Sequence, residues 1–424
     1  MSEPTKKGLV PVLRFPEFRD AGEWRGYKLG KCLSRHPEYG INAPAVPYSD
    51  DLPTYIRITD ISEDGRFLQD QKVSVAKDVT DDNYLNEGDI VLARTGASVG
   101  KAYKYREKDG SLVFAGFLIR IKADTKKLNS ELLFHFLSTD QYWRWVNLTS
   151  ARSGQPGING NEYSLLPIPL PSTLNEQQKI ADCLSSIDEL VTAQTQKVEA
   201  LKAHKKGLMQ QLFPAEGETV PKLRFPEFRD AGDWEEKLFE SVAKFSKGKG
   251  ISKSDISPNG TQPCIRYGEL YTYYSETIES VVSYTDISPD DLVLSKANDV
   301  VIPASGETQI DIATASCVLK SGIALGGDLN IIRSKMNGVF LSYYLNNAKK
   351  KDIAQLAQGI SVVHLYSSQL KNLTLNIPKI PEQQKIANCL SSIDDLITTQ
   401  TQKLAVLKAH KKGLMQQLFP SVDA

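Results

Sequence analysis

The chain has 424 residues, of which 41% are hydrophobic and 24% charged, and its 51 basic and 51 acidic side chains cancel to a formal charge of zero. These ordinary globular values exclude wholesale disorder, and the length predicts two to three domains that can each bury a core. Neutrality overall neither requires nor excludes a polyanionic partner, because a basic face can coexist with an acidic back.

In chain order, the first recognisable piece is LRFPEFRDAGEW from Leu13, which returns as LRFPEFRDAGDW from Leu223. Between this opener and residue 172 the pattern mixes strand and helix. IVLART at Ile90 and LVFAGFLIRIKA at Leu112 read as strands, and SELLFHFLSTDQYWRWV at Ser130 reads as one helix. LLPIPLP from Leu165 then leads into a segment that starts at Asn175, ends at Phe213-Pro214 and is repeated almost letter for letter from Pro381 to Pro420. The second interior, from about 235 to 378, keeps the order of elements: DLVLS at Asp291, LNIIRS at Leu329, VFLSYYLNNAKKKDIAQLA at Val339 and LTLNIP at Leu373. The chain is therefore two copies of one unit with nearly identical borders and different interiors.

The duplicated segment carries a heptad seam. Ile180, Leu184, Ile187, Val191, Gln194, Val198, Leu201, Lys205, Leu208 and Leu212 follow alternating steps of four and three. Ile386, Leu390, Ile393, Ile397, Gln400, Leu404, Leu407, Lys411, Leu414 and Leu418 repeat them. A helix of roughly 38 residues is a rod of about 57 Å, too long for an ordinary globular domain. A whole domain separates the two rods, so the second can run back along the first as an antiparallel pair with a globular domain at each end. Gln194 and Gln400 read as polar register setters within the seam. Gly207 and Gly413 read as sites of a bend or a close contact. Asn175 and Gln178 have the spacing of a capping box, and Pro381 suits a first turn. Lys202, Lys205, Lys206 and their copies Lys408, Lys411, Lys412 either face phosphates or solvate the rod.

The resulting fold class is α+β, with two α/β domains, a pair of long antiparallel coiled-coil helices and a pseudo-twofold repeat. The expected divisions are 1–172, 173–214, 215–378 and 379–424. Cysteines 32, 183, 264, 317 and 389 lack the clustering of disulfide frameworks or zinc sites, so reduced thiols in a cytoplasmic protein are expected. No N-terminal stretch has a signal-peptide core, and no run approaches the roughly 20 apolar residues of a membrane span.

Three stretches carry candidate contacts. Arg94 to Lys101, RTGASVGK, places two cations around a glycine-rich turn, with Ser98 between them. Its spacing is one residue short of a P-loop, and Ala102 stands where a magnesium-binding hydroxyl belongs, which argues against a nucleotide site. ARSGQPGINGNEY from Ala151 offers Arg152, Gln155, Asn159 and Asn161, residue types that grip guanine or adenine edges bidentately. In the second interior, Lys296 and Asn298, Ser305 and Thr308, and Ser361, His364 and Tyr366 take the corresponding parts, and Arg57 joins the DNA-contact set. No histidine pair has metal spacing and no catalytic dyad is recognisable. No catalytic residue and no metal ligand is assigned.

The doubled EQQKIA-x-CLSSID starts, the KKGLMQQLFP ends, the openers and the LLPIPLP lead-in resemble the specificity subunits of type I restriction–modification systems almost end to end. LNEGDIVLARTGASVGKAY from Leu85 and VVIPASGETQIDIATAS from Val300 resemble pieces of that family's target recognition domains. The resemblance implies a non-catalytic, DNA-binding specificity subunit. Each target recognition domain would read one half of an asymmetric bipartite site, and the helices would set the spacer and dock two modification subunits. Up to two restriction (motor) subunits would join. It also implies that S-adenosylmethionine, and ATP with Mg, serve the partners in a DNA methylation complex; none is expected in this chain. The alternative is a coiled-coil adaptor that ignores DNA and binds ligands with its end domains.

Overall fold

The structure, a computed structural model, describes residues 9–359 and 362–420. Heptad periodicity becomes two helices of 39 residues each, Leu174–Leu212 and Ile380–Leu418. The chain forms two compact units, one of Met1–Thr195 with Gln402–Ala424 and one of Gln196–Thr401. Each unit thus combines one α/β domain, the N-terminal half of the long helix that follows it, and the C-terminal half of the other long helix.

Inside the first unit the two helix segments run antiparallel. The opener touches both at one level, since Leu13 N–H donates to the Gln417 carbonyl at 3.0 Å while Arg14 binds Glu176. Twelve positions further along the first helix, Asp188 meets Lys411 at 2.6 Å, so one helix advances as the other recedes. The second unit repeats the arrangement: Leu223 N–H donates to the Gln211 carbonyl, Arg224 binds Glu382, and Lys205 pairs with Asp394 at 2.8 Å. Lys205 also reaches Glu276 at 3.0 Å, so both seam lysines are paired within the protein. Every other seam position is buried or half-buried, Gln194 and Gln400 included.

The repeated EQQ triplet has a task for each residue. Glu176 takes Arg14 Nε and Nη2 at 2.7 and 2.8 Å and Trp24 Nε1 at 3.1 Å. Gln177 accepts the Asn129 backbone N–H at 2.8 Å and Gln178 accepts the Asn129 side-chain amide at 2.7 Å. Glu382, Gln383 and Gln384 repeat this with Arg224, Trp234 and Asn337. Gln178 is therefore committed to Asn129 and to Asp182 and forms no capping box with Asn175. The helix starts at Leu174, and Thr173 supplies the cap by accepting the Glu176 amide. Pro381 lies in the first turn of the second helix, where its missing N–H leaves no helical bond unmade. A Cβ added at Gly207 or Gly413 would meet nothing within 4 Å, so neither glycine marks a close contact.

The first domain contains two four-stranded sheets. One is antiparallel, in the order Glu38–Tyr39, Leu118–Ile121, Ile90–Ala93, Ala102–Lys104. The other runs Ala45–Pro47, Val73–Val75, Thr54–Ile56, Leu112–Phe114, its last pair parallel. A ribbon of Arg25–Lys28 with Pro167–Leu170 joins the entry of the domain to its exit. The second domain has a five-stranded sheet in the order Ala243–Lys247, Leu329–Ser334, Asp299–Pro303, Ser316–Val318, Thr277–Ile278. Its smaller sheet runs Ser283–Thr285, Gln262–Ile265, Ala324–Leu325, and the entry–exit ribbon is Glu235–Leu238 with Thr374–Ile377.

Three expected elements differ. The run from Leu112 is two strands in two sheets, because Ala115–Phe117 form a turn between Leu112–Phe114 and Leu118–Ile121. The helix expected from Ser130 is two, Ser130–Phe136 and Asp140–Ser150, the second capped by Thr139. DLVLS at Asp291 contributes only a single bridge at Leu294, and the central strand is the next run, Asp299–Pro303.

Candidate nucleic-acid interface

The end of each central strand carries the candidate site, built on the same hydrogen bonds in both domains. In the first, Arg94 N–H donates to the Phe117 carbonyl at 3.0 Å and the Arg94 carbonyl accepts Ile158 N–H at 2.9 Å. In the second, Ala304 N–H donates to the Asp328 carbonyl at 2.7 Å and its carbonyl accepts Leu365 N–H at 3.0 Å. The neighbouring edges agree too: Tyr39 pairs with Ile119 opposite Leu92, as Lys247 pairs with Asn330 opposite Ile302. On one backbone pattern, then, Arg94 stands where the second domain has Ala304, Tyr39 where it has Lys247, and Phe117 where it has Asp328.

A glycine makes each edge possible. A Cβ on Gly40 would lie 2.2 Å from the Phe114 carbonyl oxygen, and one on Gly248 would lie 2.0 Å from that of Gly326. Only hydrogen fits there.

In the first domain the glycine-rich turn and the polar loop come together. Gly96 N–H donates to the Pro156 carbonyl at 3.0 Å, and Thr95 bridges Gly157. The Arg94 guanidinium lies 4.8 Å over the Tyr39 ring, and Nη1 reaches the Gly116 carbonyl at 3.4 Å. The Tyr39 hydroxyl accepts Gly160 N–H at 3.1 Å, which fixes the ring against the polar loop. Gln155 is exposed with its amide beside Gly96, Ser98 is half-buried at the turn, and Asn161 is exposed.

Several expected contact residues are turned inward or neutralised. Arg57 forks onto Asp60, which is fully buried, at 2.8 and 3.0 Å. Lys101 bonds Glu63 at 2.7 Å and the Ile61 carbonyl at 3.1 Å. Arg152 pairs with Glu162 and donates to the Thr149 carbonyl at 2.8 Å. Asn159 caps the short helix Gly160–Ser164 by accepting Glu162 N–H at 3.0 Å. In each case a nearby carboxylate or orphan helix amide competes for the polar group, which composition cannot foresee.

In the second domain, Ser305 is buried and bonds the exposed His364 at 3.2 Å, and the His364 and Tyr366 rings stack with centroids 6.3 Å apart. Thr308 caps Gln309–Ile312 through Asp311 N–H, and its hydroxyl also bonds the Asp311 carboxylate at 2.6 Å. Ser361 lies outside the described residues. Lys296 and Asn298 do not join this cluster, because their turn precedes Asp299–Pro303 and sits at the opposite end of that strand. Asn298, at φ 79°, binds the Met336 carbonyl and Gly338 N–H, so it secures a helix start; Lys296 is exposed nearby. A groove beside the site is lined by Arg266, Tyr267, Tyr273, Glu307 and Asp328.

Sequence reading missed the exposed aromatics. Tyr39 is 50%, Phe117 61% and Tyr273 70% exposed; Tyr39 and Phe117 lie at the Arg94 end of the sheet and Tyr273 lines the groove beside Asp328. Tyr39-Gly40 and Gly116-Phe117 were the available signals, an aromatic next to a glycine at a strand end. All five cysteines are free, and burial pushes Cys264 up to about 11 and Cys317 to about 12, so those two thiols are poor nucleophiles at neutral pH.

Two α/β domains with one backbone pattern and unlike polar ends, each joined to an antiparallel helix pair, define a two-headed recognition scaffold. The family model described as "Type I restriction modification DNA specificity domain" matches residues 49–203 and again 231–409, well over half of the sequence. The chain belongs to that family. It is 25% identical to the type I restriction enzyme MjaVIII specificity subunit of Methanocaldococcus jannaschii, over 96% of this chain and 93% of the relative. It shares its fold with the type I restriction–modification S subunit from M. genitalium, with a TM-score of 0.61 and 14% identity, covering 98% of this chain and all of the other. A chain from a study of complex assembly in a type I R-M system aligns with a TM-score of 0.54 and 15% identity, over 94% of this chain and 98% of that one. The protein is thus a DNA-recognition subunit, and the adaptor alternative is not favoured. Among the described residues no helix is long and apolar enough to cross a membrane.

Proposed function

We propose that this chain reads an asymmetric, bipartite DNA site, one half with each domain, and leaves catalysis to its partners. The carrying observation is the pair Arg94 and Ala304: one hydrogen-bond pattern, two chemically different side chains. Readers alike in backbone but unlike in side chains select different half-sites, whereas a single duplicated reader selects a palindrome. The near-identical outer faces of the long helices offer docking sites for two modification subunits, and the helices set the spacer. Up to two restriction subunits join that complex in the cytoplasm. S-adenosylmethionine, and ATP with magnesium, act in the partners.

The test exchanges residues 25–165 for the same region of a relative and maps methylated adenines in cells carrying the complex. One half of the methylated sequence should change and the other should persist. A change in both halves would defeat the modular reading.

A further inference from the structure

We propose that Arg94 reads a guanine in the half-site addressed by the first domain, and that Tyr39 is its positioning residue. The inference rests on the DNA-reading function above and assigns a specificity residue within it. Of the four cations singled out in this domain, Arg57, Lys101 and Arg152 are spent on Asp60, Glu63 and Glu162. Among the described residues no carboxylate pairs with Arg94. Its guanidinium is held from one side by the Tyr39 ring at 4.8 Å and from an edge by the Gly116 carbonyl at 3.4 Å. Stacking on an aromatic face fixes the plane of a guanidinium while leaving other N–H donors unused, and a planar fork with free donors is the match for guanine O6 and N7.

The support behind the arginine is itself fixed. The Tyr39 hydroxyl accepts Gly160 N–H, and Gly40 lets the Tyr39 strand approach the Phe114 carbonyl closely. Holding a long side chain before the complex forms reduces the ordering cost of recognition, which favours discrimination over mere attraction. Gln155, exposed beside Gly96, lies on the same patch, and the exposed Phe117 supplies the carbonyl that receives Arg94 N–H. The second domain has Ala304 and Lys247 at these two positions, so the device belongs to one half-site only.

The test uses the full chain assembled with its modification subunits, and competition binding against duplexes that each change one base pair of the wild-type site. R94A and R94K should lose discrimination at a single G·C pair by roughly 10- to 100-fold, with the other half-site unaffected. R94K keeps the charge without the fork, so it decides the matter if R94A fails to fold. Y39F retains the ring but frees it from Gly160 N–H, so it should weaken the preference at that same pair by less than Y39L does. Uniform weakening across all duplexes, with a shallower salt dependence, would make Arg94 a phosphate contact and overturn the proposal. Unchanged discrimination, or a loss in the half-site assigned to the second domain, would overturn it equally. A wild-type complex without any sequence preference would remove the DNA-reading function itself, a result separable from all of these.

Discussion

Arg14 and Glu176, 162 residues apart in sequence, form a forked ion pair in which the carboxylate side chain is fully buried and the arginine is 8% exposed. Arg224 and Glu382 repeat it in the second unit, with both bonds at 2.7 Å. A buried carboxylate that loses its cation keeps its desolvation cost with nothing to offset it. R14A should therefore destabilise the first unit by roughly 3–5 kcal/mol, and R224A the second by a similar amount. Denaturant unfolding measures this, and a loss below about 1 kcal/mol would show that Glu176 finds other partners.

The contact between Asp188 and Lys411 fixes helix register in the first unit, as that between Lys205 and Asp394 does in the second. Both partners of each pair are half-buried, so screening is incomplete. D188K and K411D should each destabilise, and the double exchange should recover about 1–2 kcal/mol of coupling. Additive effects in a double-mutant cycle would remove the pair from the list of register determinants.

Stability should fall on acidification through His135. Burial first, and Lys411 next, lower its pKa from 6.5 to about 4, despite Asp188 at 3.7 Å and Glu131 at 3.9 Å; Ser185 bonds its ring at 3.1 Å. The folded protein keeps the ring neutral, while the unfolded chain protonates it near its ordinary value. The contribution is whole above pH 6.5 and is lost as the pH drops toward 4, at up to about 1.4 kcal/mol per pH unit. Unfolding free energies of wild type and H135Q at pH 7 and 4.5 should draw together by roughly 2 kcal/mol or more on going to acid. A constant difference between them would place the titration elsewhere.

Alanine at Gly40 should be among the costliest single changes in the first domain. Its methyl group would sit 2.2 and 2.4 Å from two carbonyl oxygens, neither on a flexible side chain. A loss of several kcal/mol, or failure to fold, is expected. Gly154, with nothing within 4 Å of an added Cβ, is the control and should tolerate alanine within about 0.5 kcal/mol. Equal thermal stability of the two variants would contradict the close approach of the Tyr39 strand.

Local signals in the sequence were read well, and tertiary ones were not. Strict heptads announced both long helices, and the apolar run of LNIIRS became the strand Leu329–Ser334. The break at Thr139 was also written locally, as a capping threonine before Asp140 within the polar run 138–141, but the apolar residues on both sides of that run masked it. What periodicity could not carry was which groups meet. Lys101 finds Glu63 across 38 residues and Tyr39 comes beneath Arg94 from another strand, so candidate contacts chosen by residue type mixed free side chains with committed ones. Asn298 illustrates the mixture: a residue suited to adenine is occupied with the Met336 carbonyl and Gly338 N–H.

The core of the first unit includes Met415, Leu418 and Phe419, and Phe419 meets Trp24 edge-on with centroids 6.4 Å apart. Synthesis runs from the amino end, so the reader encoded first is completed by residues made after those of the second. The other reader, contained in Gln196–Thr401, has all its parts before residue 402 is made. A frameshift or proteolytic cut after residue 401 therefore disables the reader encoded first, while leaving every residue of the other in place.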